Sequence, residues 1–278
     1  MAASTKQGDN LPTIGTLALI AMCLVTFTHE GLGHGGACLA LGGRVELLTS
    51  SLFRCDRASP AIDAAGPLAN LLLGLAALAL RSRIAGRRVV LRLFLILVTA
   101  FSLFWDGGYL VQAMLLLDGD FYFAARDLMG EPSLGWRIVL GALGAAIYAA
   151  AVVVTARALR TLWPDRARAR RVARTAWLVA TAGATLAALL YQGPDTGRNL
   201  HDAVMEIGLA AVPLLLIPGG MGGPLVGEDW ARIEFSPAVV ILAVVVFGLF
   251  AVIQGVGWLA EVPPQELSSR TAPAGLPG

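Results

Sequence analysis

The sequence predicts an all-α integral membrane protein, a polytopic bundle of six to seven transmembrane helices. Three observations predict it. Of its 278 residues, 56% are hydrophobic and only 14% charged, with a mean hydropathy of +0.71, whereas soluble chains carry about a quarter charged residues. The apolar residues gather into runs of roughly 20, the length that crosses a hydrocarbon core of about 30 Å. The basic residues, all arginine except Lys6, cluster between those runs. The same composition excludes a disordered chain, a collagen-like repeat and a nucleic-acid partner. The net charge of +2 says nothing about an acidic partner; the placement of the charges matters more than their sum.

Residues 1–12 read as a flexible polar N-terminus, and the first span covers 13–41. Its opening run is a retained transmembrane segment rather than a signal peptide, because no small-residue cleavage site precedes His29. Gly42-Gly43 then breaks the helix. The stretch Arg44-Val45-Glu46-Leu47-Leu48 alternates polar and apolar before Thr49-Ser50-Ser51. A small β-hairpin at the membrane surface and an irregular polar loop both satisfy that pattern. Further spans are expected at 60–81, 89–117, 134–160 and 236–262, with another at 172–191. Residues 200–217 hold His201, Asp202, Glu206 and Pro213, so they read as a short span or a re-entrant segment. The tail, 263–278, is rich in Pro, Ser and Gly and reads as disordered.

Loop arginines set the orientation. Arg81, Arg83, Arg87, Arg88 and Arg92 surround the second loop, and Arg160, Arg166, Arg168, Arg170, Arg171 and Arg174 follow span four. The loop between spans three and four instead carries Asp118, Asp120, Asp127 and Glu131 against Arg126. Both arginine clusters and the N-terminus therefore belong in the cytoplasm. The expected location is a bacterial cytoplasmic membrane.

Chemistry concentrates in His29-Glu30-Gly31-Leu32-Gly33-His34. Ionisable groups inside an apolar helix are costly and mark function by default. Two histidines four residues apart, with a glutamate beside the first, bind Zn²⁺ while the glutamate serves as general base. Here one residue more separates them. On a regular helix, positions i and i+5 lie about 140° apart, against about 40° for i and i+4. A single i→i+5 bulge absorbs the difference, and Gly31 and Gly33 supply the backbone freedom for it. The alternative is a pair of packing or pore-lining histidines, which leaves Glu30 needing its own partner.

A two-histidine site needs a third ligand and an open position. Asp106, in Phe104-Trp105-Asp106-Gly107-Gly108-Tyr109 of span three, is the candidate. His29 and Asp106 each lie roughly 24–26 Å from the inner edge of an outward-running span. In Ala65-Gly66-Pro67-Leu68-Ala69-Asn70, Pro67 kinks the helix, Gly66 permits close approach, and Asn70 can hold a substrate backbone or an oxyanion.

Taken in order, His29-Glu30 with His34, Ala-Gly-Pro-x-x-Asn, and Asp106-Gly107 resemble the site-2 protease family of intramembrane zinc metalloproteases. The hairpin-like segment resembles that family too, and the His-Glu-x-x-Gly-His spacing is similar to the zinc motif of dipeptidyl peptidase III. The resemblance covers 13–117 as a three-helix metalloprotease-like catalytic core; 118–262 would be additional transmembrane helices of unassigned role. It implies Zn²⁺ as cofactor, held by His29, His34 and Asp106, with Glu30 as base and Asn70 assisting a membrane-embedded peptide or protein substrate. The zinc motif departs from the family by one residue. Sidedness departs as well, since the family cuts near the cytosolic face and the arginines put this site in the outer half. A non-proteolytic zinc-binding scaffold or degenerate homologue, and a metal-ion transporter, are the rival readings.

Other features carry bland expectations. His201, Asp202 and Glu206 suit a water-facing helix start more than a substrate path. Cys23 and Cys38 read as packing residues, since three cysteines (with Cys55) leave one unmatched. Trp136, Trp163, Trp230 and Trp258 read as interfacial anchors, and Gly74, Gly141, Gly144 and Ala145 as close helix contacts. The arginine-rich stretch 157–174 reads as a loop, and Pro218–Pro224 as a turn-rich one.

Overall fold

The computed structural model describes residues 9–84, 88–131, 133–220 and 232–259. The expected tail at 263–278, most of the N-terminal arm, Trp230 and much of the glycine-rich loop lie outside those residues. Among the described residues, seven helices are long and apolar enough to cross a membrane: Leu11–Ala40, Pro60–Arg83, Val89–Leu116, Leu134–Leu162, Arg166–Leu190, Thr196–Leu216 and Pro237–Gly255. Their outward faces are leucine- and valine-rich. Leu72, Val244 and Val252 are each about 70% exposed (67%, 68% and 71%), an arrangement that hydrocarbon tolerates and water does not.

Span one is composite. Helix α1, Leu11–Phe27, starts where the Asn10 side chain accepts from the Thr13 amide at 2.9 Å. It passes into a π-helical stretch, Thr28–Gly35, and regains α-geometry in α2, Gly36–Ala40. The bulge expected from the motif spacing is therefore present. After it come strands β1, Val45–Leu48, and β2, Phe53–Cys55, paired antiparallel. The hairpin reading holds over the irregular loop. A third strand, β3, Trp258–Leu259, adds to the free edge of β1 and gives the order β2-β1-β3.

Span two is α3, Pro60–Arg83, capped by Ser59 and running unbroken through Pro67. Span three is α4, Val89–Leu116, the most buried helix, packed against α1, α3 and α6 (Leu134–Leu162). Gly74 faces Ser102 and Leu103, while Gly107 and Gly144 bring α4 and α6 into backbone contact. These small-residue contacts are as expected; Gly141 makes only an ordinary contact with Met114.

Four expectations change. The stretch 157–174 is not a loop. Asp165 caps α7, Arg166–Leu190, by accepting from the Ala167 amide, so the arginines ride on helix ends. Residues 200–217 form a full-length span: α8, Thr196–Ala203, a π-helical turn Val204–Leu209, and α9, Pro213–Gly220. The last span, α10 (Pro237–Phe250) with a π-turn, stops at Gly255 rather than 262, because Gly257 turns at positive φ into β3. Trp163 is fully buried and not an interfacial anchor; Trp136 and Trp258 are more than half exposed.

Contacts sort the chain ends into two groups. At one end Asp9 accepts from Arg168 Nε at 2.5 Å and Nη2 at 2.8 Å, and from the Ile233 amide at 3.1 Å. Burial alone would raise the Asp9 carboxyl, but these donors hold it below the usual carboxylate range. At the other end Thr49 donates to Asn199 at 2.6 Å, and Gln254 donates to the Thr49 carbonyl at 3.2 Å. That second end also carries a disulfide, Cys38–Cys55, so Cys38 is not a packing residue. Their sequence separation of 17 concealed the pairing; strand β2 folds back and brings the two Cα atoms to 6.0 Å. In denatured, unreduced protein only Cys23 is expected to alkylate. Replacing both Cys38 and Cys55 by Ser is expected to cost about 3 kcal/mol, read as a lower Tm.

Candidate metal centre

The π-stretch places both histidines of the motif on one side of span one. His29 and His34 are 1% and 3% exposed, with ring centroids 4.9 Å apart. Each imidazole is held on its far side. The His34 ring stacks on Phe53 of β2, and its Nδ1 meets the Ile62 carbonyl of α3 at 2.7 Å. The His29 ring stacks on Trp105 of α4, and its Nδ1 lies 3.4 Å from the Asn70 carboxamide. Asn70 is fully buried behind His29 and does not line the cavity. That differs from the substrate-facing position expected for it.

The third residue is not Asp106. His29 Nε2 and His34 Nε2 lie 3.3 and 3.1 Å from Oδ2 of Asp120, and these three residues form a group whose ligand atoms all fall within 4.8 Å. Asp106 is 2% exposed, neither carboxylate oxygen has a hydrogen-bond partner, and it stands outside both the group and the cavity. The reason is rotational. Trp105 takes the position against His29, and the next residue points about 100° away, on the same helix face as Ser102 that packs on Gly74.

Asp120 reaches the site through a sharp turn. α4 ends at Leu117 with φ +59°, and Gly119 follows with φ +94°. A side chain at 119 would also strike the Tyr109 hydroxyl at 2.6 Å. The turn starts α5, Asp120–Met129, a short surface helix, and Tyr109 accepts the Asp120 amide at 3.1 Å. Burial opposes charge on Asp120, but the two histidines beside it hold its carboxyl well below the usual carboxylate range.

The donor set fits a divalent cation. A carbonyl only accepts, so the Ile62 contact puts a proton on His34 Nδ1; in the neutral imidazole the Nε2 lone pair then faces a carboxylate oxygen 3.1 Å away. Two such acceptors repel unless positive charge lies between them. A proton serves one such pair; His29 Nε2 addresses the same oxygen. One ion shared by three atoms suits the whole set. Ligands bound at about 2.0–2.2 Å in a tetrahedron sit roughly 3.3–3.5 Å apart. Asn70 Nδ2 faces His29 Nδ1 at 3.4 Å, and its Oδ1 has no partner among the described residues; a free Nε2 on His29 requires the carboxamide the other way round, with Oδ1 accepting from Nδ1–H.

Glu30, 3% exposed, follows His29 and lines a cavity of about 970 Å³ at the disulfide-bearing end. Glu206 and Asp202 of span six line it as well. They are not at a bland helix start. Asp120 and Glu206 are thus the site residues that sequence reasoning assigned elsewhere. The only sequence signal for Asp120 was Asp118-Gly119-Asp120, a turn-former between acids just past span three.

Compared with protein families, with curated proteins and with solved structures, the chain matches none.

Proposed function

We propose that the protein is an intramembrane zinc metallopeptidase, with His29, His34 and Asp120 holding the metal and Glu30 as general base. The observation that carries this reading is the convergence of His29 Nε2 and His34 Nε2 on one oxygen of Asp120, at 3.3 and 3.1 Å, a three-atom set that a single cation satisfies. Zinc, when bound, supplies Lewis acidity toward a carbonyl and toward water. Glu30 stands in the cavity beside the ligands with no described hydrogen-bond partner, free to take a proton from water. The hydroxide oxygen bonds to the scissile carbonyl carbon, and Glu30 gives the proton to the amine nitrogen as the C–N bond breaks. Trp105 and Phe53 cover the ring faces and keep bulk water from the imidazoles.

Arginines crowd the end bearing Asp9 and Arg168, which suits the cytoplasm. The disulfide at the opposite end suits an oxidising compartment. Two unrelated signals agree, and the site then works in the extracytoplasmic half.

Glu30→Gln is expected to keep its metal and lose about 10²–10⁴-fold in hydrolysis. The measurement is mass spectrometry of membrane-protein fragments from cells producing wild type or variant. Identical fragment sets with intact zinc would leave a non-proteolytic zinc scaffold as the better reading.

A further inference from the structure

The cavity wall opposite the zinc motif comes from span six, which no motif covers. Glu206 sits on its π-helical turn and lines the cavity with Glu30, and Asp202 lines it one turn earlier. Both arginines of the cavity wall are committed elsewhere. Arg54 pairs with Asp195 at 3.3 Å, and Arg198 with Asp118 and Asp202 at 3.5 Å each. Glu206 and Glu30, by contrast, make no hydrogen bond or salt bridge to any described residue, and Glu30 is 97% buried, being 3% exposed. Two carboxyl groups facing one partly dehydrated cavity are costly to ionise together, and a cation seated close to either favours the charged form of both.

We infer that Glu206 is the specificity-determining residue for a basic side chain, so that the segment processed carries Lys or Arg at its extracytoplasmic end. This inference rests on the peptidase reading and names its substrate class. The cation rests on Glu206, which leaves Glu30 to handle water. Basic residues are sparse on that side of membrane segments, so a cavity that requires one passes over most spans it meets.

The test uses the full chain in detergent with fluorescent single-span peptides that differ only at one outer-end residue: Arg, norleucine or Glu. Equilibrium binding is measured on ice, alongside metal content and cleavage. Wild type is expected to bind the Arg peptide about 10-fold or more tightly than the norleucine peptide, with the Glu peptide weakest. Glu206→Gln is expected to bring the Arg and norleucine peptides within about twofold while keeping the metal, and Glu206→Asp to restore part of the preference. Higher salt should shrink the wild-type ratio. Equal binding of the three peptides to wild type overturns the inference, as does a ratio unchanged in Glu206→Gln. So does a second metal ion that is lost in Glu206→Gln, which would make Glu206 a ligand. Selective binding without cleavage sinks the peptidase reading and leaves the recognition standing; cleavage without selectivity does the reverse.

Discussion

Asp120→Ala is expected to lose the bound metal, and Asp106→Ala to keep it. Among the described residues, only Asp120 places an oxygen at 3.1–3.3 Å from both imidazole Nε2 atoms. An apparent zinc affinity of about 10–16 kcal/mol spread over three protein ligands gives about 3–5 kcal/mol per ligand, or roughly 10²–10⁴ in Kd. Zinc per chain, measured after gel filtration against a chelator, separates the two variants, with His34→Ala as the metal-free reference. The opposite result, zinc lost in Asp106→Ala and kept in Asp120→Ala, would return the third position to the residue the motif order suggests. Asp106→Ala has its own expected effect. It removes a buried carboxyl with no partner, so stability should hold or rise.

Gly66→Ala is expected to remove the metal without replacing a ligand. A Cβ on Gly66 would stand 2.2 Å from His34 Nε2 and 2.6 Å from its Cδ2. The methyl group would press on the face of the imidazole above Nε2 and force the ring to move. The imidazole cannot move without losing its seat, because Phe53 stacks on it and Ile62 holds its Nδ1. Gly33→Ala meets the Gly66 Cα at 2.5 Å and the Ala65 carbonyl at 2.8 Å, which would push span one off α3. Overpacking of this kind costs about 1–3 kcal/mol, occasionally more. Metal content should therefore fall in both variants. Gly36→Ala, with open space around its Cβ, is the control expected to behave as wild type. Normal zinc in Gly66→Ala would mean that His34 is not a ligand in the orientation described.

Features that depend on spacing within one segment were legible in the sequence. The i→i+5 register of His29 and His34 demanded a bulge, and the π-stretch Thr28–Gly35 provides it. Length and apolarity predicted six of the spans, while strand alternation offered the hairpin only beside an irregular loop. What escaped depends on how distant segments meet. Asp120 lies 86 residues from His34 and was one acid among several in a loop. Asp106 had the right depth, but depth along a helix says nothing of rotation about it, and Trp105 holds the facing position. The disulfide needed β2 to fold back onto the end of span one. Glu206 sits in a span too polar to be recognised with confidence by apolarity, and the π-turn that helps turn it into the cavity has no marker in composition.

The sheet over the site has a consequence for how the protein is made. Its middle strand lies near the beginning of the chain, while the strand on one edge pairs through Leu259 with Leu47. At about 5–20 residues per second, the roughly 200 intervening residues take about 10–40 s to synthesise. Throughout that interval β1 has one neighbouring strand instead of two, and the bond from Gln254 to Thr49 cannot yet form. During that wait the disulfide ties the nascent hairpin covalently to the end of span one. Delaying oxidation in cells should therefore trap young chains whose final span has arrived but whose first loop has not been gathered in, a defect of timing rather than of stability.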